Sequence, residues 1–323
     1  MMCEVMLYHC ESPSNELAVN AADLWWNQLI TNIITGHLAM LCMSWFFGIT
    51  AFLLFRNLSF QNMGTKLLTR VKTLLVPYLL WQVIYIIKAF FQGNPWTFKR
   101  IITHVFLLRT WPPLPSFWYV YAVFLLSLLS PIFLFLFRNR KIAWFTISAM
   151  IVLLYAFWYS IDIHNGKTNY TGNIKSFFPA YLIGAFYGHI YDEHTFQDHI
   201  KYIVGFVLVG VFLGYMVDNL LGKMVIAVLP MLILFFLPVP QWARGQKLFR
   251  LNFLIYATHQ AVISLSIDRI RHMIIAIVPY VAIANILGRI LCILTIILVN
   301  VVIHAFMTRF MPKTLNLLTG GRC

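Results

Sequence analysis

The chain has 323 residues, 61% of them hydrophobic and 11% charged, with a mean hydropathy of +0.79. A soluble domain carries about 25% charged residues, so this composition excludes a soluble enzyme and leaves a polytopic membrane protein whose chemistry sits on polar groups in or beside a bilayer. The net charge of +14 does not point to nucleic acid, because the basic residues are scattered through membrane loops instead of forming one stripe; membrane lipids are the expected partner.

Met1 to Cys10 are apolar apart from Glu4 and close on Leu7-Tyr8-His9-Cys10. They are too short to span and read as the end of a helix, with a disordered terminus as the alternative. A cleaved signal peptide would need a basic start and a longer apolar centre. Crossing about 30 Å of hydrocarbon takes roughly 20 helical residues, and runs of that kind fall near 33–55, 72–91, 117–137, 141–160, 174–191, 201–218, 223–238, 248–267 and 285–308. The segments at 201–218 and 223–238 are short, and Pro230 is expected to kink the second. Barrel strands are excluded by run length, since a membrane strand needs only about ten residues and alternates in polarity. The expected fold is therefore all-α: a transmembrane helix bundle of nine full spans plus an incomplete first helix, forming one integral-membrane domain over 1–323.

Orientation follows from the basic residues. Arg56, Lys66, Arg70 and Lys72, then Arg138, Arg140 and Lys141, then Arg244, Lys247 and Arg250, then Arg309, Lys313 and Arg322 occupy alternate loops and supply most of the net charge. Asp192, Glu193 and Asp198 dissent in the one remaining loop of that set. That face is expected to be cytoplasmic, with the C-terminus inside. A completed helix before His9 would then begin in the cytoplasm, making ten spans. On the outer side, 92–116 mixes Trp96, Arg100, His104, Trp111 and the prolines 112, 113 and 115, which suits a re-entrant or interface-lying stretch. The five cysteines show no CxxC spacing, so neither a disulfide framework nor zinc is expected.

Polar residues inside the spans carry the chemical signal. His259 and Gln260 lie within Phe253–Ile263, where an imidazole either bonds a neighbouring helix or lines a wet cavity. His37 and His304 lie nearer helix ends, where water or headgroups satisfy them. His9 ends an apolar stretch with Glu11 two residues on, and imidazole is the side chain best suited to exchange a proton near neutral pH. Arg289 is the one guanidinium well inside an apolar run and is able to snorkel outward. Lys66, Arg70 and Lys72 precede LLVPYLLW, either as a topology signal or as a cradle for the phosphates of a cytosolic donor. No GxSxG, HExxH, P-loop or GxGxxG competes as a catalytic assignment.

Read in order, these pieces resemble the acyltransferase-3 family of bacterial integral-membrane acyltransferases, from about residue 5 to 265. Met6-Leu7-Tyr8-His9 resembles the end of that family's first helix, which carries its essential His. Trp45 to Leu54 resembles its LFFFISGFLL helix, and Arg70 to Tyr78 its RLKRLLIPY stretch. Phe117-Trp118-Tyr119-Val120 with Ser130-Pro131 resembles its LWFL helix and SP, Phe177–Gly188 its FxxGYxxG helix, and Phe253–Ile263 its SxGIYLxHxPI helix. Five departures stand out. The family's Arg eleven residues before the His would fall before Met1, so translation is expected to start upstream. Ser44 replaces a Pro and Thr50-Ala51 a Ser-Gly pair. The second Arg of an RxxR is Thr73, and Asn252 stands where Ser is usual.

The resemblance implies transfer of an acyl group, most often acetyl, from cytosolic acyl-CoA to a hydroxyl of a lipid-linked or exported sugar, at the inner membrane of a bacterium. It implies no bound cofactor, with acetyl-CoA or another acyl-CoA as co-substrate and a glycan or polyprenyl-linked sugar as acceptor. His9 would be the general base or be acylated itself. Arg70 and Lys72 would hold the coenzyme A phosphates. Trp118, Tyr119, Tyr256 and His259 would line the sugar cavity, with an outer aromatic belt as the plainer reading of Trp118 and Tyr119. A flippase for a lipid-linked glycan and a catalytically inactive scaffold are the rival expectations. The internal repeats usual in transporters are not visible in the sequence.

Overall fold

The computed structural model describes residues 2–10, 15–34, 39–106, 112–143, 145–150, 171–190 and 251–322. Among the described residues every regular element is helical. In chain order these are α1 (Met2–His9), α2 (Ala21–Asn32), α3 (Ala39–Phe55), α4 (Met63–Phe91), α5 (Trp118–Leu128), α6 (Ser130–Phe137), α7 (Thr171–Ile190), α8 (Asn252–Ile277), α9 (Val281–Phe310) and α10 (Pro312–Thr319). Among them α4 and α9 are each long and apolar enough to cross a membrane, and α5 with α6 qualify together as one broken span bent by 53°. The spans expected at 201–218 and 223–238, with the kink at Pro230, and most of 141–160 lie outside the described residues.

Three boundaries differ from the sequence reading, each for a physical reason. The second run begins at Met63, not at 72, so Lys66, Arg70 and Lys72 stand on a helix and not in a loop. The stretch has no Gly or Pro between Gly64 and Pro77, and a π-helical turn at Val71–Leu75 carries the chain into the apolar half. The run at 117–137 breaks after Leu128, where Pro131 has no amide to continue the ladder and its ring crowds the preceding turn. The run at 248–267 continues to Ile277, because Asp268, Arg269 and Arg271 are charged without being helix breakers. Asp268 and Arg271 pair across one turn at 3.6 Å, a spacing that favours the helix.

The chain forms two compact units, Met1–Cys42 with Pro238–Cys323, and Met43–Leu237. In the first, α8 and α9 form a helical hairpin across the short turn Val278–Tyr280, and α1 and α2 pack on it. Ile263, Ile267, Ile270 and Ile274 recur at alternating steps of four and three on α8 and bury against Ala284, Cys292 and Ile296 of α9, with Met6 and Cys10 of the first segment in the same core. Both helix ends that meet α2 and α1 are capped by side chains. Asp23 of α2 accepts from the Val281 and Ala282 amides at 2.9 Å, at the start of α9, where donors lack intrahelical partners.

In the second unit α3, α4, α5 and α7 pack through aromatic rings and one small-residue seam. Phe47 touches Trp118 and Phe177, with ring centroids 5.8 and 5.5 Å away. Gly184 and Gly188, four residues apart on α7, lie on α3 so closely that a Cβ on Gly184 would fall 2.7 Å from the Gly48 Cα. One on Gly188 would meet the Phe52 carbonyl oxygen at 2.5 Å. This is the small-xxx-small mode of packing membrane helices. The outer stretch expected between 92 and 116 is pinned by polar side chains: Tyr78 donates to the Val105 carbonyl at 2.6 Å, Tyr121 to the Phe106 carbonyl at 3.2 Å, and the Leu114 amide to Gln82 Oε1 at 2.9 Å.

Candidate active site

The first unit brings two imidazoles together. His9 ends α1, His259 sits one third of the way along α8, and their ring centroids are 5.1 Å apart. His259 is fully buried. Its Nδ1 lies 2.7 Å from the Tyr256 carbonyl, one turn back on the same helix. A carbonyl only accepts, so Nδ1 carries the proton and a neutral ring presents its lone pair at Nε2. That Nε2 has no hydrogen-bond partner among the described residues. A buried acceptor left open in an apolar unit is costly unless something binds there. His9 is half-buried, with Tyr8 edge-on to its ring at 5.0 Å, and Tyr256 is 5.9 Å from His259. Glu11, the acid expected near His9, lies outside the described residues.

A polar chain missed by the sequence reading runs beside this pair. Asn27 of α2 donates to Asn15 at 2.8 Å and accepts from Asn285 of α9 at 2.8 Å. Asn285 Oδ1 accepts from Arg289 Nε at 2.7 Å, and Arg289 Nη1 donates to the Leu7 carbonyl in the last turn of α1. Arg289 was expected to be free to snorkel, and it is instead buried to 1% exposure, with its guanidinium anchored at both ends. Asn300, farther along the same face, accepts from Thr258 at 2.7 Å. Asn285, Arg289, Cys292, Ile296 and Asn300 fall at steps of four, three, four and four, which is one face of a helix. Polar residues on a single face within an apolar run are the signal that would have found them.

Asp23 lies one helical turn before Asn27 on α2. Desolvation of its carboxylate opposes ionisation, and hydrogen bonds from the Ala282, Val281 and Val19 amides outweigh that, so its pKa lies below the ordinary carboxylate value. A cleft of about 360 Å³ opens there between Trp26, Ile30, Tyr280 and Ile283. Neither His9 nor His259 lines it, so it is separate from the imidazole pair.

The second unit holds Arg70, Lys72, Trp118 and Tyr119, and it separates the two cations. Lys66 and Arg70, four apart, share a face of α4 turned to α3. Lys66 Nζ donates to the Leu54 and Arg56 carbonyls at 3.2 and 2.7 Å, capping the end of α3. Arg70 is half-buried and donates to the Thr50 carbonyl at 3.3 Å, whereas Lys72, two residues on, is exposed. Tyr119 donates its one proton to the Phe46 carbonyl at 3.0 Å, so the Thr50 hydroxyl, 2.8 Å away, is the donor to Tyr119. The hydroxyl of Tyr181 is buried without a partner among the described residues. Trp118 is buried against Phe47 and Phe177, as a packing residue would be.

Comparison with known proteins gives one finding. A family model described as an acyltransferase domain, that of the acyltransferase-3 family, matches residues 1–305. No curated protein and no solved structure matches the chain.

Proposed function

We propose, for a chain that belongs to the acyltransferase-3 family and is a membrane acyltransferase, that it moves an acetyl group from acetyl-CoA to a hydroxyl of a lipid-linked or exported polysaccharide. The observation that carries the reading is the contact between His9 and His259 at 5.1 Å, with an open Nε2, inside an apolar helical unit. Acyl transfer to an alcohol needs a base for the hydroxyl proton and a water-poor site that keeps hydrolysis from competing.

In this reading His9 takes the proton of the sugar hydroxyl as its oxygen attacks the thioester carbonyl. The tetrahedral adduct collapses, the C–S bond breaks, and the coenzyme A thiolate leaves with the proton that His9 held. The variant in which His9 is acylated first and then delivers the acyl group uses the same atoms in two steps. Arg70, with Lys72 at the surface, holds the donor's phosphates by charge-assisted hydrogen bonds. Tyr256 and His259 face the sugar. Trp118 and Tyr119 serve the packing of the second unit, since Trp118 is buried against Phe47 and Phe177 and the Tyr119 hydroxyl is already held by Thr50 and Phe46. We place the protein in the inner membrane of a bacterium with its C-terminus in the cytoplasm, with nine full spans after the helix that ends at His9.

The test is a proteoliposome assay with labelled acetyl-CoA and a polyprenyl-linked sugar. Wild-type protein is expected to label the sugar, and His9→Ala to insert normally without labelling it. Sugar crossing the bilayer unlabelled would instead make the protein a flippase, and neither result a scaffold. Full labelling by His9→Ala would remove that imidazole from the mechanism.

A further inference from the structure

We propose that Arg289 is the positioning residue for His9: by holding the Leu7 carbonyl at the last turn of α1 it sets the imidazole against His259. The inference rests on the role given to His9 above. α1 ends at His9. The Met6 carbonyl accepts from the Cys10 amide at 3.0 Å, whereas the Leu7 carbonyl, one residue on, lies in the last turn, where intrahelical donors run out and the partial negative charge of a helix end gathers. In a bilayer no water makes up that deficit, so a protein donor must. Arg289 meets the need with a permanent charge, at a carbonyl two residues before His9.

The guanidinium does not hang loose. Its Nε is fixed to Asn285, which is fixed to Asn27, which in turn holds Asn15. Asn285 also donates to Thr31 at 3.1 Å. The same face of α9 places Cys292 against Cys10, the residue after His9. The position of the imidazole is thus tied to α9 and α2 through this relay. Arg289 Nη2 is buried and has no partner among the described residues, so the relay ends on a donor with capacity to spare. A guanidinium that served only to satisfy buried acceptors would not need to reach α1.

The experiment compares Arg289→Met, Arg289→Lys and Asn285→Ala with wild type and His9→Ala, in two readouts. In steady-state acyl transfer, Arg289→Met is expected to lower kcat at least 100-fold with both KM values within about twofold. Arg289→Lys should recover at least tenfold of that loss, because an ammonium still reaches one carbonyl. Asn285→Ala leaves the guanidinium but loosens it, and should cost about tenfold; it carries the test if Arg289→Met does not fold. In hydrogen exchange, the peptide 2–10 should exchange at least tenfold faster in Arg289→Met than in wild type, with 252–277 unchanged. Wild-type exchange at 2–10, or retained kcat in a folded Arg289→Met or Asn285→Ala protein, would overturn the proposal. The exchange arm does not depend on turnover. Loss of protection together with full transfer by His9→Ala would sink the catalytic role of His9 while leaving the relay standing.

Discussion

Gly184→Ala tests whether the seam between α7 and α3 holds the second unit together. The added Cβ would lie 2.7 Å from the Gly48 Cα, against an optimum of about 3.5–4.0 Å for carbon pairs, so the two helices must part by about 1 Å. The obstacle is backbone and not the tip of a flexible side chain, which puts the cost at the upper end of the roughly 1–3 kcal/mol typical of overpacking. Alanine's better helix propensity returns up to about 1 kcal/mol. A net loss of about 2 kcal/mol remains, or about 4–8 °C in melting temperature on the scaling for larger domains. Gly64→Ala is the matched control, since a Cβ there meets nothing within 4 Å, and it should raise the melting temperature. The assay is thermal unfolding in detergent, followed by size-exclusion recovery. Displacing α3 also moves the Thr50 carbonyl, 3.3 Å from Arg70, so KM for acyl-CoA should rise in Gly184→Ala. A Gly184→Ala protein melting at or above wild type while Gly64→Ala gains stability would refute the seam.

Three further outcomes follow from the site. His259→Asn should melt within about 2 °C of wild type yet lose about 10²-fold or more in kcat, the usual contribution of a placed acid or base; undiminished turnover in single-substrate titrations would reduce His259 to packing. Arg70→Ala should raise KM for acyl-CoA about tenfold or more with acceptor KM unchanged, and Lys72→Ala should do less because Lys72 is exposed; equal effects of Arg70→Ala on both substrates would argue against a donor site. Asp23→Asn should cost about 1–2 kcal/mol at pH 7, the value of a charged helix cap. Because the Asp23 pKa is lowered on folding, its stabilisation is complete above the ordinary carboxylate value and fades as pH falls through the depressed one. Melting curves of the two proteins should therefore converge only in strong acid, and a gap already closing near pH 6 would contradict the cap.

Much of the helical layout is legible in the sequence, because run length and hydropathy report on each helix by itself. Two of the three misplaced boundaries come from reading charge as loop, and the third from Pro131. Asp268, Arg269 and Arg271 end an apolar window, but no Gly or Pro stops the helix before Pro279. Lys66 and Arg70 were grouped with Lys72 by proximity in sequence. Helical spacing puts only the first two on one face, where the Leu54 and Thr50 carbonyls of α3 take up both. His9 and His259 were each visible as polar breaks in apolar runs, although 250 positions apart, and only folding could make them a pair. Arg289 stands out in the sequence, but its role does not, for a different reason. Its partner is the Leu7 carbonyl, and a backbone group has no signature in a sequence.

Asp23 and Arg289 solve the same problem at two helix ends. Asp23 sets a carboxylate against the positive start of α9, and Arg289 sets a guanidinium against the negative end of α1. Each charge is matched to the pole it meets, and the two sites are joined through α2, Asn27 and Asn285. In water such caps would contribute modestly, because solvent can satisfy the same groups. In an apolar unit an orphan amide or carbonyl has no substitute, so the caps decide whether the helix ends can be buried at all. Motif resemblance runs only to about residue 265, whereas the family match extends to residue 305 and takes in Asn285, Arg289 and Asn300. The segment with the weakest motif content thus holds the imidazole that the motifs single out. Substitutions between Val281 and Asn300 should accordingly disturb α1 more than their distance from His9 in the sequence would suggest.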